Sequence, residues 1–283
     1  SDWGATNDLL NSLKAGMDLE MPGNRGGSES LILSGVKSGD LDESVLDTAV
    51  ERILTMVLNA EETLSKDFYY DQEQHHRLAR RAAGEGAVLL KNDQGCLPLS
   101  GGARIALLGR FARHPRYQGA GSSLINPSRL DNLHDELSAR MKGGVITYGQ
   151  GYTESGSQPH AGLIDEAVRL AQGAESVVIC AGLTDLYETE GLDREHLKLP
   201  AGHEALIEAV SRIHDRVVVV LSNGSPVEMP WVDQVPAILE GYLGGQAGAG
   251  ALADILLGNI NPNGKLAETF PIRLEDTPCY EYF

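Results

Sequence analysis

Apolar and polar positions follow two different rhythms along this chain, and the rhythm changes near residue 65. Before that point, residues 5–15 and 44–60 space apolar side chains three and four apart (Val45, Leu46, Ala49, Val50, Ile53, Leu54, Val57), which predicts amphipathic helices. Asp40-Leu41-Asp42-Glu43 supplies an acidic first turn, where the helix dipole favours carboxylates. Between them, residues 17–22 are short enough for one strand. The stretch 64–72, with Lys66, Asp67 and three aromatics, breaks the pattern. The predicted division is therefore a first segment at 1–64, a linker at 65–72 and a second domain at 73–283.

In the second domain a helix is expected at 73–90, followed by strands at 105–108, 145–148, 176–180, 217–221 and 237–242. Helical patterns at 129–141, 161–172, 203–214 and 248–257 alternate with them. Continuous apolar runs such as Val217-Val218-Val219-Val220-Leu221 suit strands covered on both faces, so the fold class is an α/β sandwich with a mainly parallel sheet. Sites in such sheets gather at the carboxyl ends of the strands. Two loops stand there: Tyr117-Gln118-Gly119-Ala120-Gly121-Ser122-Ser123, and the acidic turn Glu188-Thr189-Glu190-Gly191-Leu192-Asp193-Arg194-Glu195.

Composition narrows the chemistry. With 283 residues, one large or two medium domains can form around ample buried core. Lys+Arg of 23 against Asp+Glu of 40 leaves a net charge of −17, a field that repels phosphate backbones and anionic membrane faces, so nucleic acid is not expected as a partner. Cys96, Cys180 and Cys279 are odd in number and far apart, which argues against a disulfide framework or zinc site and for buried structural thiols. Unpaired thiols lean toward a reducing, cytoplasmic compartment. No apolar run reaches the ~18 residues of a membrane span.

Gly119-x-Gly121 and Gly248-x-Gly250 lack the third glycine of a dinucleotide loop and read as tight turns or close packing. Near Gly264-Lys265 the phosphate-loop spacing is wrong, and Leu266 stands where Ser or Thr would hold magnesium, so no cofactor is expected. His75-His76 lies among Arg77, Arg80 and Arg81, as on a solvated basic face. There is no Gly-x-Ser-x-Gly to support a serine hydrolase. The carboxylates remain. Glycosidic cleavage needs one carboxyl to protonate the leaving oxygen and a second to attack or activate water. By spacing alone, Glu188, Glu190, Asp193 and Glu195 also fit a solvated loop or a weak calcium site. Gly191 permits a tight turn, and Arg194 offers a fork expected to hold Asp193.

Several segments, in order along nearly the whole chain, carry a resemblance. Ser1-Asp2-Trp3-Gly4-Ala5 with Ala15-Gly16-Met17-Asp18-Leu19-Glu20-Met21-Pro22 resembles the nucleophile segment and next strand of glycoside hydrolase family 3, the β-glucosidase family. The similarity continues through Glu85–Asn92, Tyr117–Ser123, Glu188–Pro200, Pro226–Trp231 and Asn261–Pro271. It implies a retaining glycosidase with Asp2 as nucleophile, Glu190 as general acid/base, and Trp3 lining the pocket, where an aromatic face suits the apolar face of a sugar ring. The implied substrate is a β-glucoside or oligosaccharide. Glu-Thr-Glu-Gly-Leu-Asp-Arg resembles the β-glucosidase branch, and no segment resembles the His-Asp dyad of the N-acetylglucosaminidase branch.

The resemblance also implies a (β/α)₈ barrel ahead of the nucleophile, and residues 1–64 correspond only to its tail. A barrel tail by itself leaves an exposed edge and apolar faces that favour self-association or disorder. The expected partner is a separate or missing barrel segment; without it, a noncatalytic carbohydrate-binding or scaffold role is the alternative.

Overall fold

A computed structural model describes residues 1–64 and 67–282, and residues 65 and 66 of the expected linker lie outside it. The chain divides into two compact units, Ser1–Tyr70 and Asp71–Phe283.

The first unit holds α1 (Leu9–Lys14), α2 (Gly27–Ser38) and α3 (Glu43–Leu64). Asp8 starts α1 by accepting a hydrogen bond from the Asn11 amide at 3.0 Å, satisfying one of the first-turn donors. Leu9, Leu13 and Leu41 form a small core, with Met17, Ile32, Val36 and Leu46 packed around it. Helix α2 escapes the sequence reading because its glycines and serines mask the inward pair Ile32 and Val36. The strand expected at 17–22 does not form. A strand needs a hydrogen-bonded neighbour, and the first unit contains no strand among the described residues. Instead, the segment is tied to the chain start: the Ser1 amino group donates to Leu19 O at 2.6 Å, and the Gly4 amide to Met21 O at 3.3 Å. On α3, Val50, Leu54, Met56, Val57 and Leu58 are each at least half exposed.

The second unit is an α/β sandwich. Its six strands, β1 (Val88–Asn92), β2 (Arg104–Leu108), β3 (Val145–Gly149), β4 (Ser176–Gly182), β5 (Val217–Ser222) and β6 (Ala237–Glu240), are ordered β1-β6-β5-β4-β2-β3. All neighbours are parallel except the β1–β6 edge pair, which is antiparallel. Alternate residues of the central strands enter two separate cores. Leu107, Val178, Val218 and Leu239 pack with α5 (Leu133–Arg140) and α8 (Gly248–Leu256). Ala106, Ile179, Val219 and Leu221 pack with α6 (Ala161–Gln172) and α7 (Ala201–Ser211) on the opposite face. Both faces of the sheet are thus covered, which explains the uninterrupted apolar strands.

The helix expected at 73–90 is two elements, α4 (Gln72–Gly86) and β1. Ala87 turns to an extended conformation at the end of α4, and Val88 and Leu89 then pair with Glu240 and Leu239 of β6 rather than continuing the turn. His76 is buried rather than solvated: its Nε2 meets Asp131 and its Nδ1 meets Gln246, each at 2.9 Å. Two cysteines, Cys96 and Cys180, are buried, and burial pushes the Cys180 thiol up to about 12; Cys279, expected inside, is exposed.

Candidate active site

From β2 the chain crosses to β3 on one side and then returns to β4 on the other, so the order reverses between β2 and β4. At such a reversal, adjoining loops leave the sheet in opposite directions and open a crevice at the carboxyl ends. The loop that leaves β2 carries Arg116 and Ser122, the loop after β4 carries Glu188, Glu190 and Arg194, and the loop after β5 carries Ser225.

Thr189 and Leu192 pair across an antiparallel bridge, making Glu190-Gly191 a two-residue turn; Gly191 takes φ +81°, which a residue with a Cβ adopts poorly. Glu190 sits exposed at the tip. Its Oε2 accepts the Ser122 amide at 2.5 Å, and its own amide donates to Ala120 O at 3.3 Å. Gly121 makes this approach feasible: it has φ +93°, and a Cβ there would lie 2.5 Å from the Glu190 Cβ. Ser122, through its side chain and its backbone N–H, holds the Glu190 carboxyl below the usual carboxylate range. The glycine-rich loop and the acidic turn are therefore brought together.

Glu188 turns the other way. It accepts the Gly224 amide at 2.9 Å and the Ser225 hydroxyl at 2.6 Å. Glu188 and Glu190 thus serve different partners and do not converge as calcium ligands. Arg194 does not hold Asp193. It is half-buried and donates from Nη1 to Ser225 Oγ and Pro226 O, both at 2.9 Å, while Asp193 is exposed. Burial lowers the Arg194 pKa, with Glu188 and Glu228 opposing the shift.

Arg116 underlies both loops. Its side chain is only 6% exposed, which matters because it is otherwise a charge without solvent. Nε donates to Gln118 O, Nη1 to Leu183 O and Nη2 to Glu188 O, all at 2.9 Å. Asp185 lies 3.2 Å from Nη1. The planar guanidinium therefore ties the loop after β2 to the loop after β4 through main-chain carbonyls.

Below Glu188, at the end of β6, Glu240 is fully buried and accepts the Tyr242 amide at 2.7 Å and the Asn223 side-chain amide at 3.0 Å. Burial raises it from 4.5 to about 7. His203, buried on α7 with Nδ1 accepting the Gly182 amide, is lowered by burial from 6.5 to about 3. The two act oppositely on stability. Folded Glu240 keeps a proton that the unfolded chain has released, so stability is lost as pH rises from about 4.5 to 7. Folded His203 declines a proton that the unfolded chain accepts, so stability is lost as pH falls from about 6.5 to 3. Where the windows overlap the slopes oppose. Glu240→Gln is expected to expose the His203 slope, making urea-derived stability climb between pH 5 and 6.5 by about 1 kcal/mol per unit more steeply than in the parent chain. Equal slopes would show that Glu240 titrates as an ordinary carboxylate.

Asp2 and Trp3 belong to the first unit, and Glu190 to the second. The Asp2 carboxyl accepts the Trp3 amide at 2.7 Å, and Trp3 is 71% exposed. Sequence reasoning did not find Arg116, Ser225 or the Asn223–Glu240 pair. A carboxylate closing the apolar run Ala237-Ile238-Leu239-Glu240 was a usable signal; a lone arginine whose partners lie 67 and 72 positions away gave none.

Comparison with known proteins places the chain. The glycosyl hydrolase family 3 C-terminal domain matches residues 87–283. The chain is 50% identical to thermostable beta-glucosidase B of Acetivibrio thermocellus over all of its own length and 38% of the relative's. It is 39% identical to an exo-alpha-(1->6)-L-arabinopyranosidase of Bifidobacterium longum, over 98% of this chain and 38% of that protein. Among solved structures, the GH3 beta-glucosidase of Bifidobacterium adolescentis superposes with a TM-score of 0.91 at 40% identity, covering 98% of this chain and 41% of the other. The chain thus spans about 38% of the length of these curated relatives. With the matched domain occupying the whole sandwich after α4, the chain belongs to glycosyl hydrolase family 3, of which it carries a C-terminal portion.

Proposed function

We propose that this chain forms part of a retaining β-glucosidase that removes terminal non-reducing β-D-glucosyl residues, with Glu190 as acid/base, Asp2 as nucleophile and Trp3 against the sugar. The observation that carries the reading is the Glu190 turn: an exposed carboxyl at a tight tip, seated on the Gly121-Ser122 amide at the carboxyl ends of a parallel sheet. Family membership supplies the reaction class.

In the first step the Asp2 carboxylate attacks the anomeric carbon, the bond to the leaving oxygen breaks, and Glu190 delivers its proton to that oxygen. In the second, the Glu190 carboxylate takes a proton from water as the water oxygen attacks the anomeric carbon and frees Asp2. The hydrogen bond from Ser122 favours the carboxylate, the form needed for the second step. The first step needs the acid. A sugar ring closing over Glu190 withdraws water and shifts the balance toward the protonated form.

Glucose is preferred to arabinopyranose as the substrate sugar because the relative named a beta-glucosidase is 50% identical and the arabinopyranosidase 39%. The groups that grip the sugar are assigned to the part of these relatives' length beyond the matched 38%, which we read as the barrel that the family resemblance implies. Residues 1–64, within the unit Ser1–Tyr70, are read as the tail of that barrel. Their half-exposed α3 face is the surface such a segment would cover. A noncatalytic carbohydrate-binding role is the second reading, favoured by the same short coverage.

The purified 283-residue chain is therefore expected to hydrolyse an aryl β-glucoside negligibly, since a carboxylate without its neighbouring strands is not preorganised. Turnover should appear when a barrel chain co-purifies, detected by intact mass on the active fraction. Clear turnover by the isolated chain, abolished by Glu190→Ala, would overturn the division of labour.

A further inference from the structure

Glu188 and Glu190 lie two residues apart, and the fold gives them opposite surroundings. Glu190 stands exposed at the tip of its turn. The Glu188 side chain is 18% exposed, and its carboxyl faces the loop after β5, where the Ser225 hydroxyl donates to Oε1 at 2.6 Å and the Gly224 amide to Oε2 at 2.9 Å. A Cβ at Gly224 would stand 3.1 Å from Glu188 Oε1, so the glycine leaves room for this approach. Arg116 closes the other side: its Nη2 donates to the Glu188 carbonyl and lies 3.7 Å from Oε2. A carboxyl whose two oxygens are both taken by protein donors is poorly placed to exchange protons with a substrate. It is well placed to hold a neighbour that does.

Both ends of the turn meet at one residue. Glu188, just before the bridge residue Thr189, accepts from the Ser225 hydroxyl, and Arg194, just beyond the bridge residue Leu192, donates from Nη1 to the same oxygen at 2.9 Å. Ser225 is fixed in turn by Asn223, whose Nδ2 donates at 3.0 Å both to Ser225 O and to the buried Glu240. The tip is held separately, by the Ser122 amide and the Ala120 carbonyl of the loop after β2. The base of the turn therefore rests on the loop after β5, and that footing sets where the tip meets its seat.

We propose that Glu188 is a positioning residue for the acid/base: its bonds to Ser225 and Gly224 fix the base of the turn, and it acts on the reaction through the placement of Glu190. This rests on the assignment of Glu190 as acid/base made above. Truncating Glu188 leaves the neighbouring arginines partnered, since Arg116 keeps its three main-chain carbonyls and Asp185, and Arg194 keeps Ser225 and Pro226. The effect of Glu188→Ala is thereby confined to the anchor.

Two measurements test it. In the 283-residue chain the Ser122 amide proton reports the seat of Glu190, because a short bond to a carboxylate moves that proton downfield. Glu188→Ala is expected to move it upfield, in the direction in which Glu190→Gln moves it, with the amides of Val178 and Val219 on the central strands unchanged. In the enzyme assembled with its barrel segment, Glu188→Ala should lower kcat for a dinitrophenyl β-glucoside about tenfold to a hundredfold, the loss that a displacement of about 1 Å brings to the second step. KM should fall with it and kcat/KM stay within about threefold, because dinitrophenolate departs without a proton. A general loss of folded enzyme would lower kcat/KM instead. Azide should restore turnover, and Glu188→Ala added to Glu190→Gln should lower kcat no further. Ser225→Ala keeps both carboxyls and should give the same signature more weakly; it carries the test where Glu188→Ala does not fold. An unmoved Ser122 amide, a fall in kcat/KM as large as that in kcat, or a further loss in the double variant would each overturn the proposal. If Glu190 were not the acid/base, Glu190→Gln itself would lack the loss that azide reverses and both readings would fall; if the positioning role alone is wrong, Glu190→Gln keeps that loss and Glu188→Ala lacks it.

Discussion

Glu190→Gln, in an enzyme assembled from this chain and its barrel segment, is expected to lose about 10²–10⁴ in turnover of an alkyl β-glucoside. The loss should depend on the leaving group. An alkoxide cannot depart without a proton, so the whole deficit falls on the first step. A dinitrophenolate departs unaided, so with that substrate glycosylation is spared and the second step, which needs Glu190 to deprotonate water, becomes limiting. Azide attacks the glycosyl-enzyme without a base and should restore turnover, giving the β-glucosyl azide. The geometry supports a local effect: Glu190 is exposed and its carboxyl contacts Ser122, so the amide variant removes one hydrogen-bond acceptor from a surface turn and leaves the core intact. Steady-state kinetics on the two substrates, with and without azide, provide the check. A small loss independent of leaving group would remove Glu190 from the chemistry.

Arg116→Met should act through structure. The guanidinium satisfies the carbonyls of Gln118, Leu183 and Glu188 at a site 6% exposed, and balances Asp185 and Glu188. Removing it strands those acceptors, at a cost of about 3 kcal/mol or more in unfolding free energy. Lysine is not expected to rescue it, because an ammonium group cannot reproduce the planar fork that reaches three carbonyls. The loops should loosen together: amide exchange should accelerate at residues 117–125 and 183–192 while the central strands, whose residues Val178, Ile179, Val218 and Val219 are fully buried, stay protected. Urea unfolding and hydrogen exchange of the 283-residue chain measure both effects. A shift below about 0.5 kcal/mol with unchanged exchange would mean that the loops do not depend on Arg116.

Local periodicity made the sandwich legible. Runs such as Val217–Ser222 are apolar at nearly every position because helices cover both faces, and a strand with one face in water would alternate instead. Periodicity failed where one run served two elements. Val88-Leu89-Leu90 continues the apolar spacing of α4, yet it is an edge strand, because its antiparallel partner β6 lies about 150 residues away and leaves no local trace. Helix α2 was hidden by its four serines and by Gly35, whose close approach to Leu10 of α1 is a tertiary fact. The reading of the candidate site divided in the same way. Gly121 and Gly191 were visible as turn formers, but the reason for Gly121, a 2.5 Å approach of its absent Cβ to Glu190, is a tertiary fact. Sequence proximity suggested Asp193 as the partner of Arg194, but the guanidinium reaches Ser225 and Pro226, because half-burial rewards carbonyl and hydroxyl acceptors brought by the next strand's loop. His76 looks basic and solvated among arginines; its buried partners Asp131 and Gln246 come from distant loops.

The most direct measurement of the proposed mechanism is covalent. The assembled enzyme, inactivated with 2-deoxy-2-fluoro-β-D-glucosyl fluoride, should retain one sugar per active site, because the 2-fluorine slows both steps while the anomeric fluoride, a good leaving group, keeps the first one accessible. Peptide mapping by mass spectrometry should find that sugar on Asp2. A label on any other carboxylate, or complete inactivation with no covalent label, would contradict Asp2 as the nucleophile and with it the retaining mechanism assigned to Asp2 and Glu190.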